Sequence, residues 1–195
     1  MIGLENETHV IYDANVIIYS LFPDKYKIPL FTASAKKLND FLFDHESTIV
    51  VPHFIISEIE RKGYYNVIDD YFKDLRPSSR FQLMIKLRHN FANLKKHKNF
   101  SQEYYLPSED LLYSINNAFI DFNNLDNIDE YFMLKHTDVL NPSCEDKKLI
   151  LFSKDKECPI ISNDLDLIFF QEELLKRNLV HEIIDFKSIN FNVWI

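Results

Sequence analysis

The fold is decided at residues 9–15, HVIYDAN, where a short apolar run ends in a carboxylate. The run is rich in residues that favour strands, and a second apolar stretch, residues 16–22, follows it and ends at Pro23. This pattern predicts a buried strand and then a short helix. Parallel α/β sheets bind ligands at the carboxyl ends of their strands, so Asp13 is predicted to face such a crevice.

The pattern of strand and helix recurs along the chain. Residues 30–43 have apolar residues at helical spacing, and residues 48–51 form a second compact apolar run before Pro52. A helix is predicted from about 53 to 62, with Gly63 closing it. The elements predicted later are a helix at 144–154, a strand at 159–162, a helix at 165–177 and a strand at 181–185.

Strands that alternate with helices favour a parallel sheet covered on both faces. The sequence therefore predicts an α/β fold with three layers, α/β/α, around a central parallel sheet. Residues 64–142 are predicted to be helical throughout, without a strand, with breaks near Pro77, Pro107 and Pro142. Residues 1–195 are interpreted as a single domain, within which 64–142 form a helical insertion.

The composition is that of a chain able to form its own core. Hydrophobic residues make up 46% and charged residues 27%, unlike the compositions typical of disordered chains. No apolar window reaches the roughly 18 residues of a membrane span, and Glu5 and Glu7 stand where a signal peptide carries positive charge. We therefore expect a cytoplasmic protein without a membrane partner. Cys144 and Cys158 are expected to be reduced thiols, and the histidines lack zinc-site spacing.

The charges are unevenly distributed. The formal net charge is −8, from 30 acidic and 22 basic residues, which on average opposes binding to a polyanion. Between Asp74 and Glu103, however, there is no acidic residue. The basic residues of that interval are Arg76, Arg80, Lys86, Arg88, Lys95, Lys96 and Lys98. Phe81 and Phe91 are interleaved with them, which suits phosphate contacts and base stacking. A nucleic-acid-binding face and a solvated helix face both fit this pattern.

Four carboxylates are predicted to point towards one end of the sheet. Asp13 ends the first strand, and Asp164 closely follows the third. Glu58 lies on the helix after the second strand, and Asp146 opens the helix before the third. Such a cluster would raise its own pKa values, so its stable use is to bind hard divalent cations, Mg²⁺ or Mn²⁺, through oxygen. Two such ions can activate a water and stabilise the leaving oxygen of a phosphodiester.

These motifs resemble those of the PIN domain in order and spacing. The matching segments are VIYDANV at 10–16, SEI at 57–59, Asp146 with Leu149 and Ile150, and ISNDLD at 161–166. The resemblance covers roughly residues 1–62 and 143–187. The metal-binding and catalytic carboxylates that it implies are Asp13, Glu58, Asp146 and Asp164. The supporting residues that it implies are Asn15 and Ser162, with Asp166 as an outer acid.

The resemblance implies a Mg²⁺- or Mn²⁺-dependent endoribonuclease that hydrolyses phosphodiester bonds by a two-metal mechanism, with RNA favoured over DNA. A toxin of this family would have an inhibitory, antitoxin-like protein partner that blocks the crevice with an Arg or Lys side chain. Homodimers are also common in the family. The stretch 64–142 is longer than in the compact ribonuclease toxins, which departs from a simple toxin.

Each carboxylate also has a structural interpretation. Asp13 and Asp164 suit a helix cap or a turn, and Asp146 suits an N-terminal capping box. Glu58 suits a solvated helix face, on which Glu60 is equally available. The ordered coincidence of four such positions favours the metal cluster.

Two other functions compete with the nuclease. One is a non-catalytic PIN-like module that binds RNA or a protein. The other is a haloacid-dehalogenase-like phosphatase, in which Asn15 would stand where that mechanism requires a general acid. An amide cannot donate that proton, so the phosphatase is the weaker alternative.

Overall fold

The computed structural model describes residues 4–26, 31–122 and 142–189. Its centre is a sheet of five strands, all parallel. In chain order the strands are β1 (His9–Tyr12), β2 (Thr48–Pro52), β3 (Phe100–Glu103), β4 (Pro159–Ser162) and β5 (Glu182–Asp185). The expected central parallel sheet is thereby confirmed.

Helices flank the sheet in an α/β/α arrangement. Those of the described residues are α1 (Ala14–Leu21), α2 (Phe31–Asp44), α3 (His53–Glu58), α4 (Tyr64–Tyr71), α5 (Pro77–Leu94), α6 (Glu109–Phe122), α7 (Cys144–Lys156), α8 (Leu165–Ile168) and α9 (Gln171–Lys176). A π-helical turn, Ile59–Gly63, joins α3 to α4, and 3-10 turns occupy Leu4–Asn6 and Phe186–Ser188. None of the helices in the described ranges is long and apolar enough to cross a membrane.

The strands lie in the order β3-β2-β1-β4-β5. From β1 the chain winds outward through β2 to β3 and then returns to β4 on the other side of β1. Open parallel sheets bind ligands at the carboxyl ends of the strands where the winding reverses in this way. Because Tyr12 of β1 is paired with Ile161 of β4, the residues that follow these two strands lie at one crevice.

The central strands are the apolar runs of the sequence. Val10, Ile11 and Tyr12 of β1 are fully buried, and every residue of β4 is buried. A parallel strand is covered on both faces, so its side chains are apolar without alternation. The Tyr12 hydroxyl donates to Asn39 Oδ1 of α2 at 3.0 Å, which satisfies this buried phenol.

The prediction that residues 64–142 contain no strand is wrong. β3 lies within that segment and pairs with β2, from Phe100 with Ile49 to Glu103 with Pro52. It is an edge strand in which only Phe100 is buried, so it lacks the apolar run by which a central strand is recognised. The helices α4, α5 and α6 account for the predicted helical character, while residues 123–141 lie outside the described part.

Gly63 does not close a helix, contrary to the prediction. The backbone stays right-handed helical from α3 through the π-helical turn into α4, with φ −55° and ψ −43° at Gly63. A Cβ atom at this position would lie 2.6 Å from Cδ1 of the buried Ile18 on α1. The absence of a side chain therefore allows α1 to pack closely against the turn.

The predicted helix at 165–177 is divided into α8 and α9. Phe170, with φ −97° and ψ 17°, lies between them. Its buried ring stacks on Phe122 of α6 with centroids 4.8 Å apart, so the break places an aromatic side chain in the core. The helix predicted from residue 30 is α2, although residue 30 itself lies outside the described residues.

Candidate active site

The crevice predicted at the switch point is built by the ends of β1 and β4. Asp13 follows β1 directly, and its backbone N–H donates to the carbonyl of Ile161 on β4 at 3.2 Å. Asp13 is also the N-cap of α1, because its Oδ1 accepts from the Ala14 N–H at 2.6 Å. The structural role considered for Asp13 is thus present, and it fixes the carboxylate at the carboxyl edge of the sheet.

Asp13 is enclosed by hydrogen-bond donors and is only 3% exposed. Its Oδ2 accepts from Ser162 Oγ at 2.7 Å and from Asn15 Nδ2 at 3.0 Å. Burial raises the pKa of Asp13 well above its ordinary value, the charge of Asp164 raises it further, and the hydrogen bond from Ser162 opposes both. Asn15 and Ser162 both contact Asp13, which is the placement expected of supporting residues.

Asp164 lies two residues beyond β4, on the open side of the crevice. The residue is exposed, and its backbone N–H donates to Ser162 Oγ at 3.0 Å. Desolvation by neighbouring atoms nevertheless raises the pKa of its carboxyl group, while hydrogen bonds with Asn15 and Asp13 and the charge of Lys187 lower it.

Asp146 lies in the first turn of α7 and closes a capping box. Ser143 Oγ accepts from the Asp146 N–H at 3.1 Å, and Asp146 Oδ2 accepts from the Ser143 N–H at 3.0 Å. The structural role considered for Asp146 is therefore confirmed. Desolvation raises the pKa of Asp146, the two hydrogen bonds with Ser143 lower it, and the charges of Asp164 and Glu145 raise it. The pKa of Asp146, a member of the capping box, is thus also raised by the charge of Asp164 in the crevice.

Glu58, the last residue of α3, interacts with the cluster more directly than Glu60 does. Glu58 is half-buried, and its pKa is raised first by desolvation and then by the charges of Asp146 and Asp164. Glu60 is exposed and forms an ion pair with Lys95 at 2.6 Å. Of the two glutamates that the sequence left open, Glu58 is the one whose ionisation is linked to the cluster.

The charges of Asp146 and Asp164 raise the pKa values of both Asp13 and Glu58, so the four predicted carboxylates lie near one end of the sheet. Asp166 lies in the first turn of α8, and its part as an outer acid stays a prediction. No protein-family model, curated protein or solved structure matches this chain.

The donor atoms suit a hard cation, although the carboxylates are not drawn tightly together. Across the described ranges, no three Asp, Glu, His or Cys side chains form a group that could hold a metal ion. Mg²⁺, however, commonly takes only one or two carboxylates and completes its shell with water and phosphate oxygens. Among the described side chains, Oδ1 of Asn15 and Oδ1 of Asn163 are buried without a hydrogen-bond partner, beside Asp13 and Asp164 in sequence. The donor chemistry therefore fits Mg²⁺ or Mn²⁺.

The structure brings to this crevice residues that the sequence did not single out. Lys187 lies in the 3-10 turn after β5, and its charge lowers the pKa of Asp164. Desolvation raises the pKa of Tyr19 of α1, the neighbouring Tyr71 raises it further, and so does the charge of Asp164. Lys187 follows a strand end as Asp164 does, so its position along the sequence was a usable signal. The position of Tyr71 near Tyr19 depends on the path of α4, which the sequence does not predict.

The seven basic residues predicted to bind nucleic acid are not gathered at the crevice. Lys96 and Lys98 precede β3 and therefore lie at the amino end of the sheet, opposite the carboxylates. Arg80 and Lys95 are engaged in ion pairs with carboxylates at 3.2 and 2.6 Å. The remaining three, at the start of α5 or along it, are exposed: Arg76, Lys86 and Arg88. Their contact with nucleic acid stays a prediction.

Proposed function

We propose that the chain is a metal-dependent nuclease of the PIN type, which hydrolyses phosphodiester bonds of RNA as an endoribonuclease. The observation that carries the proposal is the buried Asp13 at the switch point of a parallel sheet. Its pKa is raised by burial and by the charge of Asp164. Asp146 and Glu58 add their charges to the same place. Carboxylates that repel one another do not stabilise a fold, so a positively charged ligand explains their placement.

The residues that would hold Mg²⁺ or Mn²⁺ are Asp13, Glu58, Asp146 and Asp164. A cation bound there would polarise the phosphoryl group and lower the pKa of an attacking water, and a pair of cations would do both in a two-metal mechanism. Ser162 and Asn15 orient the Asp13 carboxylate through its Oδ2. The Ser162 hydroxyl also accepts from the Asp164 N–H, so one side chain holds both strand ends in position. The capping box orients Asp146 in the same way.

The alternative function is a non-catalytic PIN-like module that binds RNA or a protein. Two observations favour it: the lack of a three-residue metal group within the described residues, and the engagement of Asp146 in its capping box. Such a module would bind RNA without cleaving it, whichever metal is supplied. RNA rather than DNA as substrate, an antitoxin-like partner, a homodimer and a cytoplasmic location remain predictions beside the proposed activity.

Cleavage of labelled single-stranded RNA, and of DNA of the same sequence, tests the proposal in Mg²⁺ and in Mn²⁺. We expect cleavage that EDTA abolishes and that Asp13→Asn reduces to the level seen in EDTA. The matched control is Asp155→Asn, because Asp155 is an exposed carboxylate near the other end of α7 that accepts a hydrogen bond from Tyr105 at 2.6 Å. Binding without cleavage under every metal condition would support the module. Cleavage that persists in EDTA or in Asp13→Asn would overturn the proposed mechanism.

A further inference from the structure

A cation stands beside Asp164 that the proposed function does not employ. β4 and β5 pair Ser162 with Asp185, so Asp164 and Lys187 each lie two residues beyond paired strand ends. The turn that holds Lys187 is fixed, because Asp185 Oδ1 accepts from the Lys187 N–H at 2.9 Å and the Asp185 carbonyl accepts from Ser188 Oγ at 2.7 Å. The lysine is therefore positioned at the rim of the crevice by the sheet itself.

From Lys187 a row of aromatic rings extends along this rim. Lys187 Nζ lies 5.9 Å from the centroid of the Phe31 ring. Phe31 stacks on Tyr19 with centroids 5.2 Å apart and an interplanar angle of 20°. Tyr71 and Asn163, the residue that precedes Asp164, lie close enough to the Tyr19 hydroxyl to shift its pKa. The row thus joins a cation at one end to a tyrosine ring at the other.

Both ends of the row are open to solvent, whereas its middle is not. Tyr71, the last residue of α4, is 47% exposed, and Tyr19 is 6% exposed. Lys187 is exposed, and no carboxylate of the described residues forms an ion pair with it. An exposed ring offers a face for stacking, and a lysine without an ion pair offers a charge for a phosphate.

We propose that Lys187 and Tyr71 form a subsite for a single-stranded nucleic acid. The Lys187 ammonium pairs with a phosphate of the strand, and an unpaired base stacks on the Tyr71 ring. Bases within a duplex are stacked on one another and offer no free face, so the subsite favours single strands. The inference rests on the proposed function for the phosphate that lies next to the carboxylates, but binding at the subsite is measurable without cleavage.

Equilibrium binding of a fluorescent single-stranded RNA 12-mer, and of a hairpin duplex of matched length, tests the subsite in EDTA, where no metal-dependent cleavage occurs. We expect Lys187→Gln to weaken single-strand binding about 5- to 10-fold and to lower the slope of log K against log salt by about 0.7, the value for one phosphate contact. Tyr71→Leu should weaken binding about 5- to 100-fold without changing the salt slope. Tyr71→Phe should bind as the wild type does, because it keeps the ring.

The matched control for the lysine is Lys37→Gln. Lys37 is also an exposed lysine without an ion pair among the described residues, but it lies six residues along α2 from Phe31, on another face of that helix. Equal effects of Lys187→Gln and Lys37→Gln, a duplex bound as tightly as the single strand, or no binding by the wild type would each overturn the subsite. The cleavage experiment with Asp13→Asn tests the nuclease activity independently of these binding measurements. If the protein cleaves RNA but the variants at Lys187 and Tyr71 bind as the wild type does, the proposed nuclease activity stands and the proposed subsite is refuted.

Discussion

Asp13→Asn should remove a dependence of protein stability on pH that the wild type has. Burial and Asp164 raise the pKa of Asp13 in the folded protein, whereas the unfolded chain has the ordinary value of about 3.9. Between these two values the folded protein holds a proton that the unfolded chain has released. The stabilising contribution is therefore fully present below about pH 4 and is lost as pH rises through the folded pKa.

The size of this effect follows from the burial of Asp13. The residue is 3% exposed, so solvent screens its charge little, and the linkage approaches one whole proton. One proton corresponds to about 1.4 kcal/mol of unfolding free energy for each pH unit. For a chain of this size, about 1 kcal/mol corresponds to about 2–4 °C in Tm. The wild type should therefore lose about 3–6 °C for each pH unit relative to Asp13→Asn while pH rises towards the folded pKa.

Thermal unfolding of both proteins in EDTA, at intervals between pH 4.5 and 7.5, measures this difference. Asp155→Asn serves as the control for the loss of a carboxylate, because Asp155 is exposed and lies outside the crevice. Addition of Mg²⁺ should raise the Tm of the wild type more at pH 7.5 than at pH 5, since protons compete with the cation for the same oxygens. Parallel profiles for the wild type and Asp13→Asn would refute the raised pKa of Asp13 in the folded protein.

Two further substitutions separate the supporting contacts from the carboxylates themselves. Ser162→Ala removes a donor from Asp13 and an acceptor from the Asp164 N–H, so we expect a loss of about 1–3 kcal/mol in urea unfolding together with reduced cleavage; unchanged stability would contradict this. Ser143→Ala removes the N-cap of α7 and should cost about 1 kcal/mol while the Asp146 carboxylate remains, so metal-dependent cleavage should persist. Loss of all cleavage in a folded Ser143→Ala protein would mean that the cap is essential to the site.

The central strands could be predicted because they are buried on both faces. An apolar run such as that of β1 has few other structural explanations, and a carboxylate at its end lies by topology at the crevice. The sequence therefore predicts the positions of Asp13 and Asp164 without knowledge of the strand order. β3 was missed for the opposite reason, since an edge strand with a single buried residue, Phe100, leaves almost no periodic signal.

The residues beside the carboxylates are harder to predict from the sequence than the carboxylates themselves. Lys187 lies after β5, and its relation to Asp164 depends on the pairing of Ser162 with Asp185, which the sequence does not specify. The basic stretch drew attention through composition, but α5 leads into β3, so its C-terminal charges end at the opposite edge of the sheet. Charge that is concentrated in sequence is thus not necessarily concentrated in space.

Structural and functional explanations of the same carboxylate turn out to be compatible here. Asp13 caps α1 with Oδ1 while Oδ2 accepts hydrogen bonds from Ser162 and Asn15. Asp146 closes the capping box of α7 with Ser143, while the charge of Asp164 raises its pKa. A cap holds a carboxylate in one orientation at a helix N-terminus, where the backbone dipole favours negative charge. That fixes the direction of the oxygens before any cation arrives. Capping is therefore a means by which the fold positions a cluster that electrostatic repulsion would otherwise disperse.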